Sequence, residues 1–376
     1  MRIFPLYFLF LFLALSGCTT PACCSKPEVK LKSPPLLVQK KADLRITAVG
    51  DIMMGTNFPD DRRAPDDGIS LLKAITPILK DADITFGNLE GVLLDGGEAA
   101  KKCKNSTSCY VFRSPPYYAK YLKTAGFDVL SLANNHARDF GEEGRTASMQ
   151  ALAAAGLHHT GRVDDIAQWQ VKGITVTWIA YAPFGGSYDL LDIPLAEKQV
   201  KELAKNSDLV FVSIHAGAEG KDVKHVPFKN EMFYGEDRGD VVKFSHADID
   251  AGADLVIGHG PHVPRAMELY KNRLIAYSLG NFLTYQGIRI TGDNGVAPVL
   301  SVTLSSDGEF KQGQIISARQ YRPQGTLIDK THEAAKIIQE LTQSDFPKTP
   351  LNFSRNGLIT PRIISLTNIQ KTTPKH

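Results

Sequence analysis

Five short stretches of this chain gather side chains that bind metals or move protons. Asp51 closes Val-Gly-Asp, Asn88 and Glu90 stand in Gly-Asn-Leu-Glu-Gly, and Asn134-Asn135-His136 is followed by Asp139. His215 and Glu219 bracket His-Ala-Gly-Ala-Glu, and His259 and His262 end each half of Gly-His-Gly-Pro-His. A lone histidine after a strand is more often a surface or satisfied core residue, so the conjunction carries the argument. Carboxylate, amide oxygen and imidazole together suit Mn, Fe or Zn, whereas magnesium takes mostly oxygen. The turn His259-Gly260-Pro261-His262 can present two imidazoles to two adjacent ions. Arg138, beside His136, and Arg238 are the arginines assigned, with Glu219, to an anionic substrate.

Each stretch directly follows an apolar run of strand length. Residues 45–49, 84–86, 129–132, 174–180, 209–214 and 255–257 are expected as buried strands, each bounded by polar or glycine signals. Between them, 69–79, 116–125, 142–155, 194–204 and 241–251 carry apolar residues at helical spacing, several ending at Gly126, Gly156 or Gly252. This alternation predicts an α/β domain with a largely parallel sheet, in which loops at the carboxyl ends of strands converge on one crevice. From residue 265 the pattern changes to strands at 265–270, 273–278, 299–305 and 309–317, joined by turns such as Asp307-Gly308, which predicts a second, more antiparallel sheet. Trp169 and Trp178 are expected in the core. Asn281 is expected to cap a turn.

At 376 residues and 43% hydrophobic content the chain can bury a large core. Its 43 basic and 40 acidic side chains leave a net charge of +3, so no overall field favours nucleic acid, and none is expected as a partner. Met1-Arg2, an apolar run to Leu15 and then Ser16-Gly17-Cys18 have the order of an export signal. The run is shorter than the roughly 20 residues a bilayer-spanning helix needs. Residues 1–17 are assigned as signal peptide, and 18–43, with Pro21, Pro27, Pro34 and Pro35 among lysines, as a tether. The site-bearing domain is assigned to 44–330, and a C-terminal helix and tail to 331–376. Export implies an oxidising compartment. Cys103 and Cys109 flank a polar loop, and a disulfide between them would add roughly 2 kcal/mol by restricting the unfolded chain.

Two resemblances follow from these motifs. Leu15-Ser16-Gly17-Cys18 resembles a bacterial lipobox, which implies lipidation of Cys18 and an envelope location, anchored to a membrane and facing the periplasm or exterior. The order Asp, Asn-x-Glu, Asn-His, His, Gly-His-x-x-His resembles the calcineurin-like metallophosphoesterase superfamily. The wording Ser-Leu-Ala-Asn-Asn-His-Ala-Arg-Asp-Phe-Gly, Gly-Ala-Asp-Leu-Val-Ile-Gly-His-Gly-Pro-His and Tyr-Ser-Leu-Gly-Asn-Phe resembles the CapA proteins of poly-γ-glutamate capsule synthesis. The resemblance implies a four-layer αββα sandwich of two mixed sheets flanked by helices. It implies Asp51 and His262 as ligands of one divalent transition metal and Asn135, His215 and His259 of a second. His136 would act on the substrate, with Asp139 orienting its ring. Two departures stand out: Met53 replaces the histidine of Asp-x-His, and Asn88 with Glu90 replaces a bridging aspartate. Which of Asn88 and Glu90 reaches metal stays open, as does one ion against two.

The functional expectation is an exported, lipid-anchored protein with a metal-dependent phosphoesterase-type site, acting on a phosphoester or amide in the handling of an anionic envelope polymer. The alternative is a non-catalytic factor that binds or helps export such a polymer. Cys18→Ala is expected to release the protein from membranes or leave its signal uncut; unchanged membrane fractionation would remove the lipobox assignment.

Overall fold

The computed structural model describes residues 41–102 and 109–362. All belong to one unit, Lys40–His376. The signal, Cys18, most of the tether and Cys103 lie outside the described residues. Among the described residues no helix is long and apolar enough to cross a membrane.

Strand β1 (Leu44–Met53) is buried along almost its whole length and sits mid-sheet. It pairs in parallel with β2 (Ile84–Leu89), which leads to β3 (Val129–Ser131) and β4 (His158–Thr160). A second sheet begins with β5 (Ala167–Val171) and β6 (Ile174–Ala182) and continues through β7 (Leu209–His215) and β8 (Leu255–His259). The hairpin β9 (Met267–Tyr270) and β10 (Arg273–Ala276) closes its other side. Then β11 (Asn281–Thr284), β12 (Val299–Leu304) and β13 (Phe310–Ile316) return to the first sheet, where β11 and β12 both pair with β1. The antiparallel strands therefore do not form a sheet of their own. They split between the two sheets, and so do the parallel ones.

Alternation along the strands sets the layers, because successive side chains point to opposite faces. Ile46 and Ala48 of β1, Phe86 of β2, Trp178 of β6, Phe211 of β7 and Ile257 of β8 share one core between the sheets. Phe86 stacks on Trp178 at 4.2 Å between ring centroids. The opposite face of the first sheet, with Ile52, Leu89 and Leu130, packs on α1 (Thr76–Leu79), α2 (Tyr118–Ala125) and α3 (Gly141–Ala154). That of the second, with Val210, Val212 and Val256, packs on α4 (Ile193–Ala204) and α5 (Val241–Ala251). Four layers result, as the resemblance implied. Asp192 and Asp240 cap the starts of α4 and α5, accepting from Leu195 and Lys243 N–H, and left-handed Gly126 and Gly252 end α2 and α5.

Two expectations need correction. The helix expected over 69–79 is α-helical only from Thr76; before it run overlapping turns in which Leu71, Lys73 and Ile75 N–H bond three residues back. Pro77 has no N–H to give to the Lys73 carbonyl, so that α-type bond is missing, and in the stretch before it only the Thr76 N–H reaches four residues back, to Leu72. The first sheet also continues past residue 330: after α6 (Glu333–Asp345), β14 (Leu351–Phe353) and β15 (Leu358–Pro361) form a hairpin on the edge of β13.

Asp248 on α5 is buried with neither carboxylate oxygen hydrogen-bonded among the described residues. Burial, with Glu197 nearby, raises its pKa well above the usual carboxylate value, so the fold favours the neutral form. Its contribution is complete below the unfolded pKa, near 4, and is lost as pH rises toward the folded one. Asp248→Asn cannot ionise. Urea titrations should find it more stable than wild type at pH 8, with the gap narrowing toward pH 4; an equal gap at both would contradict the buried neutral carboxyl.

Candidate metal centre

Strand parity brings most of the expected ligands to one place. Asn88 follows Phe86 by two, His215 follows Phe211 by four and His259 follows Ile257 by two, so all three face the layer between the sheets. His215 and His259 are direct register partners, as are Asp51 and Asn88. Asp51 has the wrong parity for this, since it is odd-spaced from Ile46 and Ala48. A register slip between Ala48 and Asp51 corrects it, and a bulge of this kind re-aims the side chains beyond it. At the slip Gly50 lies so close to the neighbouring chain that a Cβ there would sit 1.9 Å from the Gly280 carbonyl oxygen.

The cluster is buried and crowded. Single ligand atoms of Asp51, Glu90 and His262 lie within 4.8 Å of one another, an arrangement that could hold a metal ion. His262 Nδ1 lies 3.0 Å from Asp51 Oδ2 and 3.0 Å from Asn281 Oδ1, and its Nε2 lies 3.6 Å from Glu90 and 3.8 Å from Glu219. Its backbone is left-handed, at φ 59°, a conformation that costs a non-glycine residue roughly 1–3 kcal/mol and clusters at functional sites. Asn88 Nδ2 donates to Asp51 Oδ1 at 2.8 Å and lies 3.3 Å from His215 Nδ1, while its Oδ1 accepts from Asn134 at 3.1 Å. Asn88 thus braces the site from both ends of its amide. Of the pair left open, it is Glu90 whose two oxygens have no hydrogen-bond partner.

Other atoms are unpartnered in the same way: Asn135 Oδ1, His215 Nε2 and His259 Nδ1 are buried without a hydrogen bond among the described residues. Leaving a buried polar atom unsatisfied costs about 1–3 kcal/mol, so such atoms are rare unless something else binds them. His259 Nε2 donates to the Val49 carbonyl at 3.0 Å, which leaves Nδ1 with its lone pair. This is the usual way a ligand imidazole is held. The donor set fits a divalent metal at Asp51, Glu90 and His262, with His215, whose ring lies 3.3 Å from Asn88, and its register partner His259 next to it. Met53, in place of a histidine, is buried with its sulfur taking the Gly55 N–H.

Electrostatics follow from burial. Burial alone would raise the Asp51 carboxyl, but the hydrogen bond and charge of His262, with help from His259 and His215, hold it at about 2. Burial pushes Glu90 up to about 8. It also holds His215 well below the usual imidazole range and lowers His136 and His259, so all three favour the neutral, ligand-competent ring. Burial would lower His262 too, but Glu90 and Asp51 outweigh it and raise it well above that range.

His136 sits beside this cluster with its Nδ1 2.7 Å from Asp139 Oδ2. Asp139 is fully buried, takes the Phe112 N–H at 2.7 Å and lies 3.4 Å from Lys101 Nζ. The Phe112 ring lies against His136 at 4.3 Å. Glu219 lines the mouth of the site with His136 and His262. Arg238 does not present a free guanidinium: it is 3% exposed, bonded to Glu219 at 2.9 Å and Glu236 at 2.8 Å, and packed between Phe184 and Phe233. It steadies Glu219, which corrects the assignment of Arg238 to an anionic substrate. Arg138 is exposed and bound to Glu142 and the Gly185 carbonyl. Cys109 is disulfide-bonded.

Sequence reasoning missed Asn281 and named Asn134 without its role. Asn281, assigned to a turn, is fully buried; it meets His262 Nδ1 and donates to the carbonyls of His262 and Asn294. Asn134 ties Asn88, the Leu89 carbonyl and the His136 N–H together. The signal for Asn281 was present in Tyr-Ser-Leu-Gly-Asn-Phe, but nothing local shows that β11 runs beside the end of β1.

The family pattern described as "Bacterial capsule synthesis protein PGA_cap" matches residues 45–286, from β1 to just past β11. The chain belongs to this capsule synthesis family. Among its relatives, the capsule biosynthesis protein CapA of Bacillus anthracis is 30% identical over 285 residues, covering 70% of this chain and 65% of that protein. The PGA biosynthesis protein CapA of Bacillus subtilis is 27% identical, covering 71% of this chain and 70% of that protein. The chain thus spans about two thirds of their length. A solved 5′-nucleotidase precursor from Thermus thermophilus is similar over 80% of this chain and 59% of its own, at 13% identity and a TM-score of 0.40. Every cluster residue named above lies within the stretch matched by the PGA_cap family.

Asn281→Ala removes a partner of His262 Nδ1 without touching a ligand. Metal affinity, read by titration of the stripped protein, should fall about 10- to 100-fold. Unchanged affinity would show that His262 needs no such support.

Proposed function

We propose that this chain is a lipid-anchored envelope protein whose metal-dependent site acts on a phosphoester- or amide-type linkage during biosynthesis of an anionic capsule polymer of the polyglutamate class. The observation that carries this reading is the Asp51, Glu90 and His262 group, whose ligand atoms lie within 4.8 Å of one another, together with the unpartnered buried atoms of Glu90, His215 and His259. Family membership supports the capsule context. The signal and lipobox resemblance around Cys18 supports the location.

Manganese, iron or zinc, as one ion or two, would supply Lewis acidity and a water ionised at neutral pH. The chain's own residues do the rest. His136 reaches the mouth of the site with Nδ1 held by Asp139, so Nε2 is the nitrogen that gives or takes a proton at the substrate. The Phe112 N–H and Lys101 hold the Asp139 carboxylate in place. The Phe112 ring covers one face of His136 and keeps water from it.

A second reading is favoured by one observation. Asn88 is neutral where the superfamily has an anionic bridge, and Met53 replaces an imidazole, so the site has one imidazole ligand fewer than the superfamily pattern and takes its carboxylate from Glu90 instead. On that reading the protein binds or helps export the polymer without cleaving it.

His215→Ala and His136→Ala separate the roles. After expression with Mn, Fe and Zn supplied, elemental analysis should show metal lost from the first and kept by the second. Turnover of an activated phosphodiester or a glutamyl amide should fall about 10²- to 10⁴-fold in His136→Ala. A wild-type protein that is metal-free and binds none on titration would sink the hydrolase reading. One that binds metal but turns over neither substrate would leave the binding reading.

A further inference from the structure

The site does not end at its metal cluster. The central cavity, about 390 Å³, is lined by His136, Glu219 and His262. It shares Tyr110, Phe112 and Gly287 with a neighbouring cavity of about 500 Å³. It shares Lys221, Asp222, Arg289 and Asn294 with another of about 680 Å³. The three cavities thus adjoin through shared lining residues, and the one lined by His136 and His262 stands between the other two. Pockets for a small ligand run to roughly 300–1,000 Å³ and enclose most of it, whereas here space continues on both sides of the chemistry.

Both flanks carry an excess of cations. Arg62, Lys101 and Lys102 face one carboxylate, Glu98, on the first flank. Lys221, Lys224 and Arg289 face Asp222 and Asp293 on the other. Most of these cations are already paired, Lys101 with Asp139 and Lys224 with Asp293. Two are not. Among the described residues Lys102 bonds only the Ala99 carbonyl, and Arg289 only the Thr291 hydroxyl. Lys102 lines the first flanking cavity, and Arg289 lines the other together with the central one.

We propose that the metal centre lies in the middle of an open-ended groove that holds an anionic chain on both sides, with Lys102 and Arg289 gripping it on opposite flanks. The site then meets an internal linkage of that chain rather than its end. The modest excess of cations matches one negative charge per repeat, spaced about 3.5 Å or more apart. It does not match the denser charge of a nucleic-acid duplex, about one per 1.7 Å. Tyr110, Phe112 and Phe233 near the centre offer apolar surface to the uncharged part of each repeat. The occupant is a polycarboxylate. This inference rests on the polymer reading above but not on hydrolysis.

The test is fluorescence anisotropy with labelled glutamate oligomers, on the full chain in detergent at low salt. A chain of roughly thirty glutamates, about 100 Å when extended, should bind on the order of 10²-fold more tightly than a trimer, because only it can engage both flanks. Lys102→Glu and Arg289→Glu should each weaken long-chain binding by about tenfold, and thermal melts should show both folded. A trimer that binds as tightly as the long chain, either substitution leaving affinity unchanged, or polyphosphate outcompeting polyglutamate at equal charge would overturn the groove. Length-dependent binding without turnover would keep the groove and end the hydrolase reading. Phosphodiester turnover with length-independent binding would do the reverse.

Discussion

Asp51 can reach the cluster only because β1 slips register at Gly50, and much of the site depends on that slip. The strand enters with Ile46 and Ala48 facing the core between the sheets, and strict alternation would turn Asp51 toward the helices. The slip reverses parity, so Ile52 faces the helix layer and Asp51 the interior. It also brings the Asp51 N–H to the Gly280 carbonyl at 2.9 Å. β11 is thereby docked on the end of β1, and Asn281 with it. A side chain at position 50 would collide with that carbonyl, so the two glycine-bearing strands and the aspartate form one unit.

The same constraint explains why the site is charged and buried at once. Five of its members, Asp51, Asn88, Glu90, His215 and His259, are at most 1% exposed. Ionised groups in such a place must be paired, neutralised or bound to a cation. Asp51 is paired with His262, Glu90 is driven toward its neutral form, and His215 and His259 are held neutral. A divalent cation would reverse the cost of the Glu90 charge and complete the bonds the neutral rings lack. The energetic tension is concentrated where the ligands meet, while the surrounding core is apolar and well packed.

Outside the cluster, ion pairs position the walls. Arg265, fully buried, grips Glu231 with two bonds of 2.8 Å and also the carbonyls of Ala218 and Val223. The segment carrying Glu219 is thereby tied to the turn after β8 that carries His262. Arg238 fastens the same glutamate from the other side. These two arginines do structural work that a sequence cannot distinguish from anion binding, since both are simply basic residues near acidic ones.

The strand-then-ligand pattern was legible by itself. Period-two alternation ties Asn88 to Phe86, His215 to Phe211 and His259 to Ile257, and that parity is local. The ligand types were readable in the motifs, and the four layers were what the family resemblance implied. Three things needed the tertiary structure. The division of strands between sheets depends on pairings such as β1 with β12, more than two hundred residues apart, which no local pattern encodes. The inward turn of Asp51 depends on a slip that reads in the sequence only as one more glycine. The roles of Asn281, Asn134 and Arg238 depend on which side chains lie within about 3 Å of them. Hydrogen bonds act at contact distance, and contact between distant segments exists only once the sheets have packed.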